Sequence, residues 1–184
     1  MTTPETEIKG IIWDVEANGL LDTVSEVYCI SYKYYKDTKV NTLQGNQLSY
    51  ENIYNALVAP GLPLVGHYIL NYDLPLLKRF YNLDIVELLG LDNIIDTLVM
   101  SQCLFPDRPV PKSCPVSIFN PIENRSKKVT SHSLEAWGYR VSHNKVKIDN
   151  WSDFSDDIIK RCEEDVLLNE KVFTYLLKEA GIVK

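Results

Sequence analysis

The chain has 184 residues, 45% hydrophobic and 24% charged, with a formal net charge of −6. This composition excludes a disordered or fibrous chain and suits one folded domain over 1–184, a single core with a long insertion. No apolar run reaches the ~18 residues that a membrane-spanning helix needs, and no secretory start follows Met1, so a cytoplasmic protein without membrane contact is expected.

In chain order, IKGIIWD (8–14) reads as a strand that ends at the acidic pair Asp14 and Glu16. EVYCISYKYY (26–35) alternates as a second strand, KDTK turns, and VNTLQ (40–44) returns as its hairpin partner. SYENIYNAL (49–57) has Ser49 as a cap and Ile53, Ala56 and Leu57 at helical spacing. PLVGHY (63–68) is a short buried strand. DLPLLKRFYNL (73–83) is a helix with Asp73 as its cap and Pro75 in its first turn. NIIDTLVMSQCLF (93–105) passes from a strand into a helix. HSLEAWGYRV (132–141) reads as a short helix closed by Gly138. From Asp153 to Glu179 the apolar positions trace one face of a long helix that Ala180 and Gly181 end. This order implies an α/β fold, a sheet with helices on both faces.

The segment at about 106–131 differs. With His132 included it holds five prolines and little periodicity, so it reads as a long loop or flap. Between Pro106 and Ile148 lie eight basic residues against three acidic ones, a local charge of +5 that leaves −11 for the rest. The loop is either a solvated stretch or a basic surface beside an acidic site. The four cysteines are widely spaced, which argues against a zinc site or a disulfide framework. Cys29 and Cys162 fall in apolar patterns and are expected in the core.

Alternation along a strand sends Asp14 and Glu16 to one face, about 7 Å apart. Such a pair repels unless a cation sits between them, and hard oxygen ligands suit Mg²⁺ or Mn²⁺. Asp73 lies at a strand-to-helix junction. Asp165 borders the buried face of the last helix, where a carboxylate needs a partner or a metal. Asp96, in IDT, is expected to cap or hydrogen-bond within the fold, and Trp13 and Trp137 are expected in the core.

Five stretches together carry a resemblance: DVEANGLL (14–21), GHYILNYDLPLL (66–77), IDTLVMSQ (95–102), SHSLEAWGYR (131–140) and EDVLLNEKV (164–172). The chain resembles the DEDD 3′–5′ exonucleases of ribonuclease H-like fold, most of all the proofreading domain of phage family-A DNA polymerases. The resemblance implies a mixed sheet and hydrolysis of the terminal phosphodiester of single-stranded DNA with two divalent ions, Mg²⁺ or Mn²⁺. It implies that Asp14 bridges both ions, Glu16 and Asp165 hold the water-activating one and Asp73 binds the second. Ala17, Asn18, Leu20 and Leu21 would contact the terminal nucleotide, Tyr72 would support the base or the helix packing, and Arg125, Lys127 and Lys128 would supply basic contacts to DNA. A polymerase partner follows, with the chain a freestanding subunit or an excised domain.

The chain departs from that pattern at three positions. Where the family carries a tyrosine four residues before the last aspartate, or a histidine five before it, this sequence has Arg161 and Lys160. Tyr68 stands where an asparagine is usual. Neither cation is a general base at neutral pH. Arg161 could bind the scissile phosphate, His132 or His143 could orient the water, or the domain could be a weak or inactive module that binds DNA or docks on a polymerase.

Overall fold

The computed structural model describes residues 8–113, 132–148 and 153–183. A five-stranded mixed sheet with strand order β3-β2-β1-β4-β5 is built from β1 (Ile11–Ala17), β2 (Val27–Tyr34), β3 (Asn41–Gln44), β4 (Leu64–Gly66) and β5 (Ile94–Asp96). The first three strands run antiparallel, and β4 and β5 continue parallel to β1. Helices cover both faces: α1 (Tyr50–Ile53), α2 (Asp73–Tyr81), α3 (Ile85–Leu89), α4 (Thr97–Leu104), α5 (Leu134–Arg140) and α6 (Asp156–Glu179).

Strand β1 organises the core by alternation. Ile11, Trp13, Val15 and Ala17 pack with Ile53, Leu57, Leu74, Leu76 and Leu77 from α1, the turn after it and α2. Ile12 faces the other way, against Val65 and the α6 residues Val166, Phe173 and Leu177. Asp14 and Glu16 share the phase of Ile12, so the sequence alternation itself aims both carboxylates at α6.

Several expectations change in detail. The first strand does not stop at the acids. It runs on to Ala17, pairing Asp14 with Ser31 and Glu16 with Cys29 before an irregularity between Glu16 and Ala17. Ser49 does cap α1, accepting from the Asn52 N–H, but the segment passes into a wider π-helical turn over Tyr54–Val58. Asp73 is not the cap of its helix; Tyr72 holds that position, and Asp73 is the first helical residue. Gly138 does not close α5 but lies inside it. A Cβ there would stand 2.7 Å from the His143 carbonyl oxygen, so glycine lets the following segment fold back across the helix. At Gly66 a Cβ would come within 2.0 Å of Ile69 Cγ2, which fixes glycine where β4 turns toward α2. α3 was not expected. Cys29, Cys162, Trp13 and Trp137 are buried, as the apolar patterns required.

Candidate metal centre

One carboxylate oxygen from each of Asp14, Glu16 and Asp165 lies within 4.8 Å of the other two. Two come from one face of β1, and the third from α6, which packs across β1 and β2. Asp73 is outside that group of three but is bound to the same strand: its Oδ1 accepts the Val15 N–H at 3.2 Å. Asp165 is 2% exposed. Its Oδ1 is buried without a hydrogen-bond partner among the described residues.

The electrostatics follow from this crowding. Burial, then repulsion from Glu16, Asp165 and Asp73, pushes Asp14 well above the usual carboxylate range. Burial and Asp165 raise Glu16 to about 7, against the opposing pull of Arg161 and Lys145. Asp73 rises to about 8, chiefly by burial, although backbone N–H groups favour its charged form. Carboxylates raised in this way favour a proton or a cation. The orphaned Asp165 oxygen and an all-oxygen donor set fit a hard divalent ion.

Two side-chain cations already meet the cluster. Arg161 Nε lies 3.1 Å from Glu16 Oε1 and 3.7 Å from Asp165 Oδ2, and its NH1 donates to the Val146 carbonyl. Lys145 Nζ lies 2.6 Å from Asp165 Oδ2. In the sequence Lys145 is one of the eight basic residues between Pro106 and Ile148. A lone lysine in a non-periodic segment carries no signal that singles it out.

The two histidines considered for the water do not hydrogen-bond to the cluster. His132 is buried between Ser101 Oγ at 2.8 Å and the Pro106 carbonyl at 3.1 Å, and His143 Nε2 meets Glu164 Oε2 at 2.7 Å. Arg108 and Arg140 flank the Trp137 ring at 4.7 and 4.8 Å, so both help to build the packing around α5.

The segment after Glu16 is tied down from within. The Asn18 side chain bonds the Ser25 hydroxyl and accepts the Ser25 and Glu26 N–H groups, so its polar atoms close the turn. Tyr72 donates its hydroxyl to the Gly19 carbonyl at 2.6 Å, and Arg79 donates to the Leu21 carbonyl. Ala17 is buried and Leu21 packs on the core, whereas Leu20 is 74% exposed. Tyr68 is half exposed, with its backbone in the left-handed region. Arg125, Lys127 and Lys128 lie outside the described residues.

The fold and site thus define an α/β chain with a mixed sheet and a carboxylate cluster between its central strand and its longest helix. No family model matches it. It is 31% identical over 157 residues to the DNA-directed DNA polymerase of Escherichia phage T7, covering 84% of this chain and 21% of that protein. It is 29% identical over 157 residues, with the same coverage, to the DNA-directed DNA polymerase of Enterobacteria phage T3. The chain therefore spans about a fifth of the length of these curated relatives. No helix among the described residues is long and apolar enough to cross a membrane.

Proposed function

We propose that the chain is a metal-dependent 3′–5′ exonuclease of ribonuclease H-like fold that removes nucleotides from single-stranded DNA ends. It would proofread in phage DNA replication, in the cytoplasm, as a freestanding partner or an excised domain of a DNA polymerase. The observation that carries this reading is the convergence of Asp14, Glu16 and Asp165, one of them with a buried oxygen that has no partner among the described residues. The similarity to a segment of phage DNA polymerases supports the substrate class and the partner.

Asp14, Glu16 and Asp165 would hold Mg²⁺ or Mn²⁺, with Asp73 beside them. A pair of such ions supplies an activated water and stabilises the leaving oxygen of a phosphodiester. The chain's own residues supply rigidity. β1 holds Asp14 and Glu16 in the sheet, and the Val15 N–H fixes Asp73 against the same strand. Arg161 Nε pairs with Glu16 Oε1, and a guanidinium offers no proton acceptor for the water. Leu20 offers the exposed apolar surface next to the site that a terminal base could cover.

A second reading has one observation in its favour: Arg161 and Lys145 already place two cations on Glu16 and Asp165. A weak or inactive module that docks on a polymerase would keep such pairs. Incubation of 5′-labelled single-stranded DNA with Mg²⁺ or Mn²⁺ separates the readings. Stepwise shortening by the wild-type chain and none by Asp14→Ala/Glu16→Ala supports the exonuclease. Equal inertness, with retained binding to a polymerase, supports the module.

A further inference from the structure

Residues 141–148, which follow α5, are strapped against the acidic cluster at several points. The His143 N–H donates to the Gly138 carbonyl at 2.9 Å, in the close approach that Gly138 permits. The His143 ring meets Glu164, the Val146 carbonyl takes an N–H of Arg161, and Ile148 packs on Tyr28, Cys29, Ile158 and Cys162. Between these anchors Lys145 reaches inward to Asp165. Its stem is largely covered, with 20% of the side chain exposed, while the Asp165 side chain is 3% exposed.

We propose that Lys145 is a tethered counter-cation of the cluster that competes with a divalent ion for Asp165. The inference rests on the metal-dependent reading above and adds a regulation of the same site. The ammonium at 2.6 Å engages Asp165 Oδ2 and leaves Oδ1 as the orphan. A divalent ion approaching that carboxylate meets a positive charge already bound to it, a repulsion strengthened by burial. Arg161 cannot yield as easily, since it bridges Glu16 and a backbone carbonyl. Lys145 is held to the cluster through its ammonium alone, on a flexible four-carbon stem. By holding Asp165 Oδ2, the lysine raises the ion concentration needed to fill the cluster.

Calorimetric titration of Mn²⁺ into the full chain tests this, with Lys145→Met and Lys145→Arg beside the wild type. Lys145→Met is expected to bind Mn²⁺ on the order of tenfold more tightly, the scale of one partly buried ion pair. Lys145→Arg should bind no more tightly than the wild type. In chelator, Lys145→Met should melt below the wild type, and saturating Mn²⁺ should close the gap. Lys145→Gln replaces the methionine variant should that one fail to fold, and circular dichroism checks each. Equal or weaker Mn²⁺ binding by folded Lys145→Met or Lys145→Gln, beside a wild type that binds at the cluster, overturns the lysine's role and leaves the exonuclease reading standing. Mn²⁺ binding unchanged by Asp14→Ala/Glu16→Ala removes the metal reading itself, and the proposal with it.

Discussion

Asp96 and the Asp14–Glu16–Asp165 cluster both place buried or half-buried carboxylates along the same sheet, but they are neutralised in opposite ways. Asp96 Oδ1 accepts the Tyr68 and Leu98 N–H groups, each at 2.9 Å, and its Oδ2 accepts the Leu70 N–H at 3.2 Å. Backbone dipoles satisfy it, and it needs no ion. The cluster faces other carboxylates, keeps an orphan oxygen on Asp165 and draws in two side-chain cations. Backbone satisfaction marks a carboxylate that builds the fold, and mutual crowding marks one held ready for a cation.

Substitution at the two places should separate them most sharply. Asp14→Asn removes a carboxyl that is disfavoured in its charged form, so in chelator its unfolding midpoint should equal or exceed that of the wild type. Its metal-dependent hydrolysis should fall at least about a hundredfold, the scale of losing one electrostatic group at a reacting centre. Asp96→Ala should do the reverse, orphaning three backbone donors at a cost of about 3 kcal/mol while the folded fraction still binds Mn²⁺. Thermal melts with and without Mn²⁺, paired with the DNA assay, check both. A stabilising Asp96→Ala or a fully active Asp14→Asn would erase the contrast.

The pH dependence of the metal-free chain should show two limbs of opposite sign. Glu16 and Asp73 titrate at about 7 and 8 in the folded chain, above their ordinary 4.5 and 3.8. Their contribution to stability is fully present below those ordinary values and is lost as pH rises through 7 and 8. His67, hydrogen-bonded to Thr97 at 2.9 Å, is lowered by burial to about 3 from 6.5. Its contribution is present above 6.5 and is lost as pH falls toward 3. Melts in chelator should therefore drop by roughly 5–10 °C on the alkaline side. Saturating Mn²⁺ should flatten that limb and leave the His67 limb unchanged. An alkaline limb unmoved by Mn²⁺ would mean that these carboxylates do not meet the ion.

Gly138 links α5 to the cluster through the backbone that carries Lys145. In Gly138→Ala the new methyl group would press on the His143 carbonyl and the strap that carries Lys145. We expect a loss of about 1–3 kcal/mol from overpacking. Mn²⁺ should bind more tightly than to the wild type, though by less than in Lys145→Met. Unchanged Mn²⁺ affinity alongside the lost stability would detach the strap from the site.

How much of this was legible in the sequence depended on the range of each interaction. Alternation in IIWDVEA placed Asp14 and Glu16 on one face, and the apolar stripe of the last helix brought Asp165 to the edge of the core; both signals are local. The Ser49 cap and the glycine ending the last helix were read for the same reason. Asp73 was misread as a cap because its true partner, the Val15 N–H, lies 58 residues away. α3 is too short at five residues to show a period. Lys145 joins the cluster only after the chain doubles back over Gly138, a contact that no spacing encodes.

The smallest expected effect concerns the turn that follows the acids. Tyr72 donates to the Gly19 carbonyl and so ties the start of α2 to the loop bearing Leu20. Tyr72→Phe keeps the ring and removes that one bond, which should lower stability by about 1 kcal/mol. Because Asp73 follows directly and stays held by the Val15 N–H, Mn²⁺ affinity should not change. Only the grip on a DNA end should loosen, as a severalfold rise in KM at nearly constant kcat, since a loosened loop weakens ground-state and transition-state binding alike. If kcat fell instead, Tyr72 would have to act on the carboxylates themselves, and the separation between a rigid acidic centre and an adjustable nucleotide-facing loop would fail.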